Sequence, residues 1–183
     1  MPFYKAFGGQ VNLPILFIIL LLSSFSSIAN NYSIYLVRHA EKLSDSKNPS
    51  LTECGRTRAE QLATLLSKTN IEHVYSTHYQ RTMQTAKPLA DQQQLVVKNY
   101  NPRYLEQLSL KLQQQKANTL IVGHSNTTPA LVTLLTKETI APLSEKDYQQ
   151  LYQVQYINNQ IILTLFQQPL TCKNTSVENK KAS

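Results

Sequence analysis

Residues 119–126 read TLIVGHSN, and this stretch decides the fold class. Thr119 to Gly123 is almost uninterrupted in apolar character, as expected for a parallel strand that is buried on both faces. A polar run from His124 to Asn126 follows at once, and Thr127 to Pro129 then favours a helix start, because proline fits the first turn of a helix. The stretch predicts a buried strand that ends in a polar loop and leads into a helix.

The same order of elements recurs along the chain. Short runs rich in strand formers occupy Ser33–Val37, Val74–Ser76 and Leu95–Lys98. Between these runs, apolar residues recur at the three- and four-residue spacing of an amphipathic helix. The predicted helices are one capped by Thr52 and ending near Lys68, one over Gln80–Gln92, and one over Leu105–Leu112.

The last part of the chain has a different pattern. Apolar and polar residues alternate from Tyr152 to Tyr156 and again from Ile161 to Leu165, and Asn158-Asn159 can turn the chain between them. This pattern predicts a hairpin with a two-residue turn. The whole order of elements therefore predicts an α/β fold, a three-layer α/β/α sandwich with a mostly parallel central sheet and a C-terminal β-hairpin.

Residues 1–29 resemble a signal peptide. Lys5 precedes an apolar run from Leu13 to Leu22, and Ser27-Ile28-Ala29 places small residues where a signal peptidase cleaves. We expect an exported protein, periplasmic or secreted, with one domain over residues 30–168, a disordered tail over 169–183, and no stable membrane insertion once cleaved. The alternative is an uncleaved anchor, for which Val11–Ala29 is barely long enough.

Charge and cysteine content narrow the range of partners. The net charge is +7, and lysine and arginine are scattered rather than gathered in a block. Such a surface favours an anionic substrate and gives no sign of a nucleic-acid partner. Cys54 and Cys172 could pair in an oxidising compartment or remain separate thiols. The oligomeric state has no signature in the sequence.

Basic and imidazole groups follow three of the predicted strands. Arg38-His39 follows the first strand, Arg81 lies just beyond the second, and His124 follows the strand at 119–123. Ligands of such sheets bind beyond the carboxyl ends of the strands, so we expect these four side chains to converge. Two arginines suit a dianion such as a phosphoryl group, and a neutral imidazole can act as a nucleophile.

Four motifs, in order, resemble a known family. Leu36 to Lys42, LVRHAEK, resembles the arginine-histidine motif of the histidine phosphatase superfamily, also called phosphoglycerate-mutase-like, with Ala40 where glycine is usual. Leu51–Ala59 resembles the family's entry into its first helix, and Tyr75–Ala86 the segment that supplies a second phosphate arginine. Val122–Thr127 resembles the second-histidine motif, so the resemblance spans residues 34 to about 135.

The resemblance implies a phosphatase that needs no metal and no cofactor. His39 would be phosphorylated transiently while Arg38, Arg81 and His124 hold the phosphoryl group, with Ser125 as a further substrate contact. Water would then release phosphate from His39. The implied substrate is a phosphorylated small molecule or a phosphoprotein.

The proton donor for the leaving group is not identified by the sequence. Ser125 and residues 99–101 stand where family members usually carry an acid, which leaves Glu41 and Glu106 as candidates. Without an acid, substrates with good leaving groups are favoured. Two alternatives stay open: a non-catalytic domain that binds phosphorylated ligands, and a phosphotransferase of the phosphoglycerate mutase type, against which the short chain and the export segment argue.

Overall fold

The structure is a computed structural model that describes residues 1–3 and 31–169. Residues 4–30 and 170–183, which hold most of the predicted signal peptide and tail, lie outside the described residues. Within the described ranges, no helix has the length and apolar character needed to cross a membrane.

One sheet with helices on both faces makes up the described chain. Its strands are β1 (Tyr32–Arg38), β2 (His73–Ser76), β3 (Val97–Asn99), β4 (Thr119–Gly123), β5 (Gln150–Ile157) and β6 (Gln160–Gln167). Its helices are α1 (Glu53–Leu66), α2 (Gln80–Gln92), α3 (Leu105–Gln115) and α4 (Thr127–Thr136). The strand order is β3-β2-β4-β1-β5-β6. The predicted α/β fold is confirmed.

Alternate side chains of β1 face opposite sides of the sheet, which explains why the fold has a helical layer on each side. Ile34 and Leu36 are buried in one apolar cluster with residues of α3 and α4. Tyr35 and Val37 point the other way, into a cluster with residues of α1 and α2. Because successive side chains of a strand face opposite sides of the sheet, an apolar run buried on both faces needs a helical layer on each.

The sheet is parallel on one side and antiparallel on the other. β1 pairs with β4, β4 with β2, and β2 with β3, all in parallel. β5 runs antiparallel to β1 and to β6. Asn158 and Asn159 form the turn between β5 and β6 with φ values of 50° and 65°. Asparagine tolerates this left-handed conformation, and the predicted hairpin is confirmed.

The start of α1 is fixed against the chain that follows β1. The Thr52 hydroxyl accepts a hydrogen bond from the Gly55 amide at 3.0 Å, which confirms Thr52 as the helix cap. The Thr52 amide donates to the carbonyl of Glu41 at 2.9 Å. A Cβ on Gly55 would clash with that same carbonyl, so only glycine allows this close approach.

Cys54, in the first turn of α1, is disulfide-bonded. Cys172, which is the other cysteine of the sequence, lies outside the described residues.

Candidate active site

The parallel pairing of β1 with β4 brings the two candidate histidines together. Arg38 and Gly123 are partners in the register of these strands, so the residues after them leave the sheet side by side. The His39 amide donates to the Gly123 carbonyl at 3.0 Å. The centroids of the His39 and His124 rings are 5.7 Å apart, with an angle of 69° between the ring planes.

Arg81 and Thr77 hold the His124 ring from two sides. Arg81 lies in the first turn of α2, and its Nη2 is 3.4 Å from Nδ1 of His124. The Thr77 hydroxyl is 2.9 Å from the other ring nitrogen, Nε2. Because arginine only donates, Nδ1 accepts and the Nε2 proton is donated to Thr77. Burial, followed by the charges of Arg81 and Arg38, lowers the pKa of His124 to about 4, so the ring is neutral.

His39 is a neutral imidazole with a defined tautomer. Its Nδ1 is 2.8 Å from the Ala40 carbonyl oxygen, which can only accept, so Nδ1 carries the proton. Burial is the main cause that lowers the pKa of His39 to about 3, and the charges of Arg38 and Arg81 add to it against the opposing bond to Ala40. The Nε2 lone pair is therefore free for nucleophilic attack.

Thr85 joins the His39 loop to the helix that carries Arg81. The Ala40 amide donates to the Thr85 hydroxyl at 3.0 Å, and that hydroxyl donates to the Arg81 carbonyl at 2.7 Å. Thr85 lies within the Tyr75–Ala86 motif. Its two hydrogen bonds join distant parts of the chain, so they could not be predicted from the motif.

Arg38 is held by the segment between α4 and β5, for which the sequence analysis makes no prediction. Its Nη1 donates to the Ser144 carbonyl at 2.7 Å, and its Nη2 donates to Oε2 of Glu145 at 2.8 Å. The Tyr148 ring stacks on the guanidinium, with 4.3 Å from Cζ to the ring centroid. These three residues lie over a hundred positions from Arg38, and no local pattern in residues 137–149 indicates such a contact.

The predicted residues surround one cavity of about 460 Å³. Its lining comprises Arg38, His39, Lys42, Tyr79, Arg81, Pro102, Arg103, His124, Ser125, Asn126, Thr127 and Glu145. Four of these residues are cations and one is an acid. The buried Nε atoms of Arg38 and Arg81 have no hydrogen-bond acceptor among the described residues. Buried donors without partners are costly, and a bound oxyanion would satisfy them.

The cavity does not include either proton-donor candidate. Glu41 uses both carboxylate oxygens to bind Arg58, with the shortest contact at 2.6 Å, and it does not line the cavity. Glu106 is exposed in the first turn of α3 and does not line it either. Glu145, which does line it, was not singled out from the sequence. In the described part of the chain, no group of three or more histidines, cysteines and carboxylates could hold a metal ion.

Several solved structures share this fold. Protein histidine phosphatase SixA complexed with tungstate is 18% identical, with a TM-score of 0.61 over 74% of this chain and 96% of that chain. A mycobacterial glucosyl-3-phosphoglycerate phosphatase is 14% identical, with a TM-score of 0.60 over 77% of this chain and 100% of that chain. Phosphoserine phosphatase from Entamoeba histolytica, in complex with 3-phosphoglyceric acid, is 14% identical, with a TM-score of 0.55 over 74% and 96%. At these identities the likeness shows the fold.

The sequence itself matches a family model over part of its length. No curated protein matches the chain. The model of the histidine phosphatase superfamily (branch 1) matches residues 34–107, a range that includes Arg38, His39 and Arg81. The family match is confined to residues 34–107, whereas the fold shared with the solved structures extends over about three quarters of the chain.

Proposed function

We propose that the chain is a metal-independent phosphatase that works through a phosphohistidine on His39. One observation carries the proposal: a neutral imidazole with a free Nε2 shares a cavity with two arginines whose buried Nε atoms have no acceptor among the described residues. This set of groups offers a nucleophile and a binding site for a tetrahedral dianion in one place.

The chemistry follows from the protonation states. The phosphoryl oxygens bind to Arg38 and Arg81, and the dianion favours protonation of His124, whose Nδ1 proton is then donated to a phosphoryl oxygen. Nε2 of His39 attacks phosphorus as the bond from phosphorus to the leaving oxygen or nitrogen breaks, and the leaving atom keeps the bonding electron pair. Water next attacks the phosphohistidine, the N–P bond breaks, and inorganic phosphate leaves with the imidazole neutral again.

The proposed substrates carry good leaving groups. Among the described residues, Glu145 is the one carboxylate that lines the cavity, and it is paired with Arg38. A leaving group that needs no proton from the protein is therefore favoured, such as the oxygen of an aryl phosphate or the already protonated nitrogen of a phosphoramidate, on small molecules or proteins. We expect aryl phosphates to turn over faster than alkyl phosphates, and equal rates would contradict this part of the proposal.

The test of the mechanism is His39→Ala. We expect turnover of an aryl phosphate to fall by roughly 10⁴-fold or more, together with loss of an acid-labile phosphoenzyme. His78→Ala is the matched control, because His78 is exposed and does not line the cavity. Full activity in His39→Ala would refute the mechanism. Phosphate binding without phosphate release by the unmodified protein would instead support a non-catalytic binding domain, and an isomerised product would support a mutase.

The proposal also places the protein outside the cytoplasm. Residues 1–29 have the pattern of a signal peptide, and Cys54 is disulfide-bonded, a state that persists in oxidising compartments. We expect the mature protein to begin at Asn30 and to contain no free thiol at Cys54. Sequencing of the mature N-terminus tests the expected start at Asn30, and a chain that begins at Met1 would contradict it.

A further inference from the structure

One edge of the Arg38 guanidinium carries a donor, Nε, that has no acceptor in the part of the chain that the structure describes. Nε and Nη2 present two parallel N–H groups along that edge, which is the arrangement that binds two oxygens of a carboxylate or phosphate at once. Nη2 donates to Glu145, whereas the buried Nε has no acceptor among the described residues. A phosphoryl group bound through two oxygens along this edge would satisfy Nε and would take Nη2 from Glu145.

The two partners of this ion pair differ sharply in exposure. The side chain of Arg38 is 2% exposed, whereas that of Glu145 is 79% exposed. Glu145 therefore keeps most of its hydration while it is bound, and it loses little when it moves into solvent. Its second contact, from the Ser125 hydroxyl to Oε1, is long at 3.4 Å.

The backbone that carries Glu145 is anchored independently of Arg38. The Leu143 amide donates to the Ser125 carbonyl at 2.9 Å. The Ser144 amide donates to Oδ2 of Asp147 at 2.9 Å, and the Asp147 amide donates back to Ser144. The Glu145 side chain can thus leave Arg38 without unfolding the turn, and the Ser144 carbonyl continues to hold Nη1.

We propose that Glu145 is an internal competitor for the phosphoryl site. Its carboxylate binds Nη2 of Arg38, and an incoming phosphate must displace it. This inference depends on the proposed function, because it assumes that Arg38 binds the phosphoryl group. Its consequence is weakened binding of inorganic phosphate, so that the product leaves readily, while substrates that make further contacts in the cavity still bind.

Equilibrium binding of inorganic phosphate, measured by titration calorimetry, tests the proposal without relying on turnover. In Glu145→Gln we expect phosphate to bind about 3- to 10-fold more tightly, because the competing anion is gone. Glu138→Gln removes the same charge from an exposed position outside the cavity lining, and we expect unchanged affinity. Arg81→Ala, made in both backgrounds, shows whether the measured phosphate occupies the proposed site.

The outcomes separate this inference from the proposed function. Arg81-dependent binding that is tighter in Glu145→Gln than in the unmodified protein and in Glu138→Gln supports it. Arg81-dependent binding of equal or weaker affinity in Glu145→Gln overturns it and leaves the proposed function standing. Equal tightening in Glu138→Gln also overturns it, because net charge alone would then explain the effect. Absence of Arg81-dependent binding in every protein would overturn the proposed function and this inference with it.

Discussion

Two buried arginines of this molecule, Arg58 and Arg38, form ion pairs with glutamates of very different exposure. Arg58 binds Glu41 through Nε and Nη2, along one guanidinium edge, at distances between 2.6 and 3.1 Å. Both of these side chains are withdrawn from solvent, with exposures of 3% for Arg58 and 15% for Glu41. Arg38 binds Glu145 through Nη2 alone, and the side chain of Glu145 is 79% exposed.

The difference distinguishes a structural ion pair from a binding site. A carboxylate that fills the guanidinium edge from inside the protein leaves no room for a ligand. Glu41 lies two residues beyond His39, so its pair with Arg58 fastens the loop that follows His39 to α1. Nε of Arg38, by contrast, has no acceptor among the described residues and its glutamate partner is exposed, which is why the proposed phosphoryl site lies here.

Arg58→Met gives the largest effect that the contrast predicts. Loss of the guanidinium leaves Glu41 buried without its counter-ion, and we expect the free energy of unfolding to fall by about 3–5 kcal/mol. Urea denaturation measures this loss. Arg56→Met, at an exposed position of the same helix, is the control and should cost less than about 1 kcal/mol. In Glu41→Leu/Arg58→Met most of the stability should return, and equal losses at Arg56 and Arg58 would contradict the structural role.

Arg38→Lys should have the opposite profile. Lysine keeps the charge but offers no planar edge, so we expect turnover of an aryl phosphate to fall by roughly 10²-fold. The loss of stability should be smaller than that of Arg58→Met, because lysine keeps the positive charge and the released partner, Glu145, is exposed. Arg56→Lys makes the same exchange outside the site and should leave turnover unchanged. A large loss of stability in Arg38→Lys with full turnover would reverse the roles assigned to the two arginines.

The sequence predicts the parallel half of the molecule better than the segment that covers it. Strand β4 is predicted with the bounds that the structure has, and its register with β1 is what makes His39 and His124 neighbours. Short-range patterns suffice there, because apolar periodicity and the strand-end rule carry the information. The contacts of Glu145 and Tyr148 with Arg38 depend on a connection between α4 and β5 that has no regular period, so only the folded chain reveals them.

The same limit applies to Glu41. From the sequence, a carboxylate two residues after His39 is a reasonable proton donor. Its actual partner, Arg58, comes from the buried face of α1, where periodicity predicts an apolar residue. A buried charge on a helix face signals a counter-ion nearby, but it does not identify which of several acids that counter-ion is.

Thr85→Val tests the link between the His39 loop and α2. Valine matches threonine in shape, but it leaves the buried Ala40 amide without its acceptor, and we expect a loss of about 1–3 kcal/mol in the free energy of unfolding. Thr57→Val is the matched control, because the Thr57 hydroxyl also bonds to a carbonyl one helical turn earlier but is exposed. A Thr85→Val loss no greater than that of Thr57→Val would show that the bridge contributes nothing to stability.

The smallest change that we expect is in the ring NMR signals of His39 and His124 as the pH is lowered. With pKa values lowered to about 3 and about 4, His39 and His124 should show little change in their ring NMR signals between about pH 7 and about pH 5. Spectra of His39→Gln and His124→Gln assign the signals.

Because both folded-state pKa values lie below the ordinary 6.5, the unfolded chain binds more protons in acid. The contribution of these two histidines to the free energy of unfolding is therefore full above pH 6.5 and declines toward pH 3. We expect His39→Gln and His124→Gln each to make this decline less steep. A His39 midpoint near 6.5 would mean that water and counter-ions reach the ring. His39 would then be protonated in mild acid, and the contrast between a buried neutral imidazole and the exposed Glu145 beside it would be lost.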